Sequence, residues 1–222
     1  RGVVRAPVVL CATEAYTGSL TGHARRVLPV ISRALATVPI PPRMWHDIGW
    51  VDRATVADSR HQFVYFQRTP DDRLLVGGRG VSYRAGSGTR ASRTGDRRVF
   101  DRLQTSVGEV FPQFADVAIS HRWSGAFGLH RDTAPVVHYD HATGLGHAGG
   151  YGGEGIALSN LAGRTLAALI SGTASAQTRL FWTDRRVRRW VPEPLRMLGV
   201  RAVAALATAT DRYEDRFLRT AP

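Results

Sequence analysis

The chain has 222 residues, of which 43% are hydrophobic, so it can bury a core and has the composition of a globular protein. It contains one cysteine and no apolar run long enough to cross a bilayer, which excludes an internal disulfide framework and a membrane-spanning helix. The net charge of +12 comes from 30 basic residues, all arginine, scattered along the chain. We therefore expect a cytoplasmic protein with no membrane partner, and the charge alone does not predict a nucleic-acid partner.

The hydrophobic pattern of the first half predicts a strand, a hairpin and a helix. Residues 3–11 form a continuous, β-branched apolar run, which predicts a buried strand. Residues 63–67 and 74–76 flank a turn-rich link, which predicts a β-hairpin. Residues 86–95 are small and polar and predict a loop, whereas residues 96–111 carry apolar side chains at helical spacing and predict a helix.

The second half predicts three further strands and two helices. Residues 117–129 read as a strand interrupted by glycines, and residues 135–139 and 145–148 flank a turn. Residues 156–170 present a wide apolar face, which predicts a helix buried against a sheet. A second amphipathic helix is expected from residue 195 to about residue 217. This order predicts a mixed α/β fold, in which one domain is interrupted by another.

Residues 149–155 contain five glycines in seven positions and lead directly into the first of these two helices. Bare backbone can approach a ligand closely, and a helix start offers unpaired N–H groups and a partial positive charge. Gly150, Gly152 and Gly155 fit the dinucleotide spacing G-x-G-x-x-G, but the acidic residue expected about 20 positions on is missing. The loop is therefore either a seat for an anionic or electron-rich group or a tight turn packed on a sheet.

Three histidines, His138, His141 and His147, lie within ten residues of one another. Residues three apart on a strand point to opposite faces, and a turn separates the second histidine from the third. The sequence therefore predicts no metal site.

Three motifs follow one another along the chain. They are VVLCATEAYT at residues 8–17, YFQRTPDDRLLVGGR at residues 65–79, and a closing segment with WSG at 123–125, DTAP at 132–135 and GGYGGEG at 149–155. In this order they resemble the strand-turn, hairpin and closing segment of the FAD-dependent amine and amino-acid oxidoreductases of the D-amino-acid oxidase superfamily. Residues 181–196 are similar to the tail of one branch of these proteins.

The resemblance implies a Rossmann-like FAD-binding domain interleaved with a substrate domain built on a largely antiparallel sheet. The chain is similar to the C-terminal portion of such a protein, because the N-terminal pyrophosphate fingerprint has no counterpart in it. The implied partners are the missing N-terminal FAD-binding half and a small-molecule amine substrate. The implied segments are 1–22 and 126–175 for the FAD-binding domain, 23–125 for the substrate domain and 176–222 for a C-terminal helical tail.

The resemblance also implies the cofactor and the residues that contact it. The glycine loop would lie against the isoalloxazine ring of FAD, where backbone N–H groups would stabilise the negative charge of the reduced ring. Some relatives attach the flavin through a cysteine in the closing segment, but Gly125 occupies that neighbourhood, so we expect non-covalent FAD. The expected cofactor-binding residues are Ala12, Thr13, Gly149, Gly150, Tyr151, Gly152, Gly153, Glu154, Gly155 and Ile156.

On the substrate side, the resemblance places Tyr65 and Arg68 on the hairpin that faces the flavin, which makes them candidate catalytic residues. The alternative is an ordinary strand with Arg68 exposed. The sequence departs from the family pattern twice: Glu14 stands where the family often has glycine, and Phe127 stands where amino-acid oxidases carry a carboxylate-binding arginine. The second departure favours an amine, or a substrate with a distant carboxylate, over a small α-amino acid.

The leading interpretation is an FAD-dependent oxidoreductase that oxidises the C–N bond of an amine or amino-acid-like substrate. The reaction would transfer a hydride to flavin N5 and give an imine. The alternative is a non-catalytic, arginine-rich binding protein with nucleic acid or another anion as its partner. Its best support is the run of arginines at residues 185–189, which lies beside Trp182 and Trp190.

Overall fold

The computed structural model describes residues 2–78, 80, 82–89 and 93–220. It contains two compact units that alternate along the chain, the first comprising residues 1–30, 83–89 and 126–196 and the second residues 31–82, 90–125 and 197–222. The mixed α/β fold predicted from the sequence is confirmed, with antiparallel pairs in both sheets. Arg79, the last residue of the hairpin motif, and residues 90–92 of the predicted loop lie outside the described residues.

The regular elements follow the chain from strand β1 to helix α4. Short 3₁₀ turns occur at Glu14–Ser19, Pro112–Phe114 and Gln177–Arg179. The strands and α-helices are β1 (Val9–Cys11), β2 (Leu28–Thr37), α1 (Pro42–Asp47), β3 (Val56–Ala57), β4 (Val64–Arg68), β5 (Leu74–Gly78), α2 (Arg93–Val110), β6 (Ile119–Leu129), β7 (Val136–Asp140), β8 (Leu145–Gly149), α3 (Gly155–Ile170) and α4 (Leu195–Thr220).

The first unit is built on a three-stranded sheet with the order β1-β8-β7. Strand β1 pairs with β8 in parallel, and β7 pairs with β8 antiparallel. Helix α3 packs on this sheet through a small apolar cluster of Val137, Ala148, Ala162, Leu166 and Trp182. Strand β8 ends at Gly149 and helix α3 begins at Gly155, so the glycine loop connects the sheet to the helix that packs on it.

Two expectations about this unit are wrong. The predicted buried strand at residues 3–11 is regular only from Val9, and Val3 and Val4 are 87% and 92% exposed, because no described strand lies beside them. Helix α3 does not bury a wide face: Ala162, Thr165 and Leu166 are buried, whereas Ile156 is 96% exposed. A sheet of three strands covers only a narrow stripe of the helix.

The second unit carries most of a five-stranded sheet with the order β3-β4-β5-β2-β6. The predicted hairpin is confirmed, because β4 and β5 pair antiparallel from Val64 with Gly78 to Arg68 with Leu74. Helix α2 begins inside the predicted loop, and β6 continues through its glycines without interruption.

The core of the second unit is rich in aromatic side chains. The ring of Trp45 lies 5.4 Å from that of Trp50 and 4.9 Å from that of Phe114, both in edge-on arrangements. Phe66 and Phe111 extend the cluster with another edge-on contact at 5.2 Å.

Among the helices of the described part, none combines the length and hydrophobicity needed to cross a bilayer.

We expect Thr37→Val to destabilise the protein by about 1–3 kcal/mol, because it leaves a buried N–H group without an acceptor. Thr37 is fully buried, and its hydroxyl accepts the Leu74 N–H at 3.0 Å and donates to Val38 O at 2.7 Å. The matched control is Thr165→Val. Thr165 is equally buried, but its hydroxyl only donates to the carbonyl of Leu161. Denaturant unfolding that showed equal losses for both variants would contradict the prediction.

Candidate functional site

The glycine loop between β8 and α3 has a backbone that only glycine adopts readily. Gly150, Gly152 and Gly153 have φ angles of 76°, 65° and 109°. These left-handed conformations carry little penalty without a Cβ. At Gly150 the space also requires glycine, because a Cβ there would overlap the ring of His130. The left-handed backbone thus explains three of the glycines in this loop, and at Gly150 close packing against His130 is a second reason.

The first part of the loop is held by the carboxylate of Glu14. Its Oε2 atom accepts the N–H of Gly150 at 3.0 Å, and its Oε1 atom accepts the N–H of Tyr151 at 3.1 Å. Burial, together with this nearby negative charge, raises the pKa of the Tyr151 phenol to about 12. The structure therefore brings together two predicted cofactor-binding segments, since Ala12 and Thr13 directly precede Glu14.

The second part of the loop ends in what we call the open helix start, the backbone N–H groups of Gly153, Gly155, Ile156 and Ala157. Within the described part of the chain, these four groups have no acceptor. A Cβ at Gly153 or Gly155 would meet no atom within 4 Å. A row of unpaired amides without side-chain obstruction fits the electron-rich edge of a flat ring. The residues present thus fit FAD at the helix start, whereas the Gly150 and Tyr151 amides are already bonded.

Two histidines pack behind the loop, and both are neutral at pH 7. The ring of His130 is fully buried, and its Nδ1 donates to the carbonyl of Ala134 at 2.9 Å. Burial lowers the pKa of His130. Burial, followed by the nearby His130, lowers the pKa of His147 to about 4. The two ring centroids lie 6.4 Å apart.

The three clustered histidines have different surroundings. His138 Nδ1 lies 2.7 Å from a carboxylate oxygen of Asp184, whereas His141 stands edge-on against Tyr139. His147 faces His130 instead.

Sequence reasoning did not find the group formed by His61, Asp211 and Glu214, whose potential ligand atoms lie within 4.8 Å of one another. The Asp211 carboxylate in this group accepts the backbone N–H groups of His61 and Gln62, at 2.7 and 3.2 Å. This arrangement explains Asp211 as a cap on the 61–62 turn, whereas Glu214 lies 3.4 Å from the Nε2 atom of His61. About 150 intervening positions hide it from a reading of the sequence.

Tyr65 and Arg68 lie in the second unit. The alternative interpretation assumed that Arg68 is exposed, and this is wrong. The side chain of Arg68 is only 12% exposed, and its guanidinium lies 5.0 Å from the centre of the Trp45 ring. It bonds the Asp72 carboxylate at 2.7 Å and the Trp50 carbonyl at 3.1 Å. Tyr65 is half-buried, and burial raises the pKa of its phenol. The hairpin thus uses Arg68 to hold its turn, and a catalytic role for either residue stays a prediction.

The arginine-rich segment near Trp182 is not built as a stacking surface. Trp182 is 2% exposed, and the indole N–H of Trp190 donates to the Leu129 carbonyl at 2.9 Å. Arg185 forms an ion pair with Asp132 and donates to a backbone carbonyl. These contacts commit the aromatic rings and one of the arginines to the interior of the unit.

Comparison with known proteins gives consistent matches. A profile of the FAD dependent oxidoreductase (DAO) family matches residues 1–169. The gamma-glutamylputrescine oxidoreductase of Escherichia coli is 32% identical in an alignment of 180 residues that covers 78% of this chain and 39% of that protein. A probable oxidoreductase, OrdL, of Rhizobium meliloti is 30% identical over 175 residues, 78% of this chain and 38% of its own length.

Among solved structures, glycine oxidase from Geobacillus kaustophilus superposes with a TM-score of 0.63 at 21% identity. The match covers 82% of this chain and 46% of that one, and at this identity it shows a shared fold. The chain spans about two fifths of the length of the curated relatives described above.

We expect stability to fall as the pH decreases from 6.5 towards 4, because of His147. Its pKa is about 4 in the folded chain and ordinarily 6.5, so between these values the unfolded state binds a proton that the folded state does not. The full effect is on the order of 3 kcal/mol. His147→Leu should flatten this dependence in denaturant unfolding at pH 7 and pH 5, leaving the smaller contribution of His130. His138→Leu, at an exposed histidine, serves as the control. An unchanged slope in His147→Leu would contradict the assignment.

Proposed function

The chain belongs to the DAO family of FAD-dependent oxidoreductases, and from this membership we propose that it is the C-terminal portion of an enzyme that oxidises the C–N bond of an amine or amino-acid-like substrate. FAD, when bound, would accept at its N5 atom the hydride equivalent that leaves the carbon next to the substrate nitrogen, so that an imine results. The observation that carries the proposal is the open helix start. Its amides would favour the negatively charged edge of the cofactor without rearranging.

The remaining contribution of this chain to the cofactor site would be orientation. Gly152 N–H donates to the carbonyl of Gly128 at 3.2 Å, which ties the middle of the loop to strand β6. With Gly150 and Tyr151 fixed by Glu14, the loop presents its remaining amides in one arrangement. A preformed set of donors stabilises charge better than a mobile one, because no reorganisation is needed when the charge develops.

We also propose that strand β1 is the docking edge for the N-terminal FAD-binding half. Strand β1 is an edge strand in the described part of the chain, with β8 on one side only. Val9 and Leu10 are 48% and 45% exposed there. An unpaired strand edge with apolar side chains is a ready template for a further strand. The chain spans about two fifths of the length of these relatives, which accords with a further segment at this edge.

For the substrate we propose an amine rather than a small α-amino acid, because an apolar ring cannot hold a carboxylate. Phe127 stands where the related amino-acid oxidases carry an arginine, and it is half-buried at the end of β6.

We further propose that FAD is held without a covalent bond. The only cysteine, Cys11, lies in β1, whereas the closing segment carries Gly125. Release of all flavin on acid precipitation of the holoprotein is the expected result.

The cofactor assignment is tested by Gly155→Val. A side chain there would project into the open space before the helix, and we expect FAD to bind at least about tenfold more weakly, which corresponds to ~1.4 kcal/mol. The matched control is Gly163→Val in the same helix, at an exposed glycine that also has no atom within 4 Å of its Cβ position. Valine and glycine have similar helix propensities, so neither change should unfold the helix.

Binding is measured by flavin fluorescence in the holoprotein that includes the rest of the family's length. Equal FAD affinity in both variants would count against the open helix start as the cofactor seat. If the protein of full family length were instead colourless and bound DNA with a steep dependence on salt, this result would support the alternative of an arginine-rich binding protein.

The substrate assignment is tested by steady-state oxidation of glycine and of a primary amine without a carboxylate by the same holoprotein. We expect kcat/KM to favour the amine by at least about tenfold, since no arginine at position 127 is present to bind a carboxylate. Introducing that group with Phe127→Arg should shift the ratio towards glycine. Comparable rates for the two substrates in the unchanged protein would contradict the proposal.

A further inference from the structure

We propose that Glu14 is a positioning residue whose carboxylate acts as an internal anion, occupying the first two amides of the glycine loop and fixing the loop before any cofactor arrives. The proposal deepens the proposed function and rests on it only for the identity of the loop's ligand. The contacts themselves belong to this chain alone.

The backbone of Glu14 gives the first argument. Its φ angle is +43°, in the left-handed region that side chains other than glycine and asparagine rarely adopt. A glycine, which the family often has here, would adopt this conformation without strain. A glutamate persists in such a conformation only when its side chain is held by strong contacts. The two bonds from the carboxylate to Gly150 and Tyr151 are such contacts, and they join positions 136 and 137 residues apart.

The space around the carboxylate gives the second argument. A Cβ at Gly128 would lie 2.6 Å from Glu14 Oε2 and would also collide with the side chain of Val27. Only glycine at position 128 therefore leaves room for the carboxylate. Gly128 also accepts the N–H of Gly152 through its carbonyl, so the same residue contacts both the internal anion and the loop. Glu14 and Gly128 form a matched pair.

The consequence concerns what the loop can bind. A phosphate held in the manner of a G-x-G-x-x-G turn would need the amides near Gly150. The Glu14 carboxylate occupies them and would repel a second anion. A ligand is thereby directed to the open helix start, four residues further along the chain. The glycines of this chain have the spacing of a dinucleotide fingerprint, but the amides near Gly150 already bind the carboxylate of Glu14.

The test uses Glu14→Gly in the chain itself, without FAD. This change relieves the backbone and empties the two amides. We expect hydrogen exchange at the Gly150 and Tyr151 N–H groups, measured by NMR, to become at least about tenfold faster, since exchange follows local opening. Formate, a carboxylate small enough for the vacated space, should restore protection with a saturable dose dependence. The unchanged chain should not respond to formate.

Glu154→Gln is the matched control, because this neighbouring carboxylate is exposed and makes no cap bond to the helix. It should leave exchange at both amides unchanged. A Glu14→Gly chain with native exchange rates, or one that formate does not restore, would overturn the proposal.

A measurement on the unchanged chain covers the case in which Glu14→Gly does not fold. The Gly150 and Tyr151 N–H groups should show NMR scalar couplings across their hydrogen bonds to the side-chain carboxyl carbon of Glu14, and the absence of these couplings would also overturn the proposal. Neither measurement involves flavin. If the protein of full family length failed to bind FAD, the proposed function would be refuted and the role of Glu14 would remain.

Discussion

The arrangement of the site depends on one interaction, the bonding of the half-buried Glu14 carboxylate to two consecutive backbone amides. The left-handed backbone at Glu14 costs about 1–2 kcal/mol. A hydrogen bond to a charged group contributes roughly 1.5–3 kcal/mol, so two of them outweigh the strain. With only one of the two bonds, the gain of roughly 1.5–3 kcal/mol would be close to the cost of the strain. The glycine loop therefore stabilises the turn after β1 as much as that turn stabilises the loop.

The electrostatic surroundings make this bonding possible. In the described part of the chain, Glu14 has no salt-bridge partner, and the rings nearest the loop, His130 and His147, are neutral because burial lowers their pKa values. Successive backbone N–H groups can hold an anion without a cation, since their dipoles converge on it. The negative charge thus stays uncompensated by side chains, beside amides that would otherwise be free to attract a ligand.

Local patterns were sufficient to predict the hairpin, helices α2, α3 and α4 and the glycine loop, because each depends on contacts between near neighbours in sequence, but helix α1 was not predicted. They could not predict the role of Glu14, whose partners are more than a hundred residues away. They also misjudged residues 3–11 and helix α3. An apolar run indicates a tendency to be buried, but burial needs a partner surface, and the described sheet is only three strands wide. The exposed Val9 and Ile156 mark where the prediction fails for this reason.

Strand β6 carries one of the two departures from the family pattern, Phe127, directly before the glycine that accommodates the other, Glu14. Gly128 leaves room for the Glu14 carboxylate, whereas Phe127 is the residue on which the proposed preference for an amine rests. Successive residues of a strand face opposite sides of the sheet, so these two positions serve different surfaces. A change on one face need not disturb the other. Under the two proposals, the same short segment would affect the support of the glycine loop and the choice of substrate independently, which a family match at about 30% identity does not reveal.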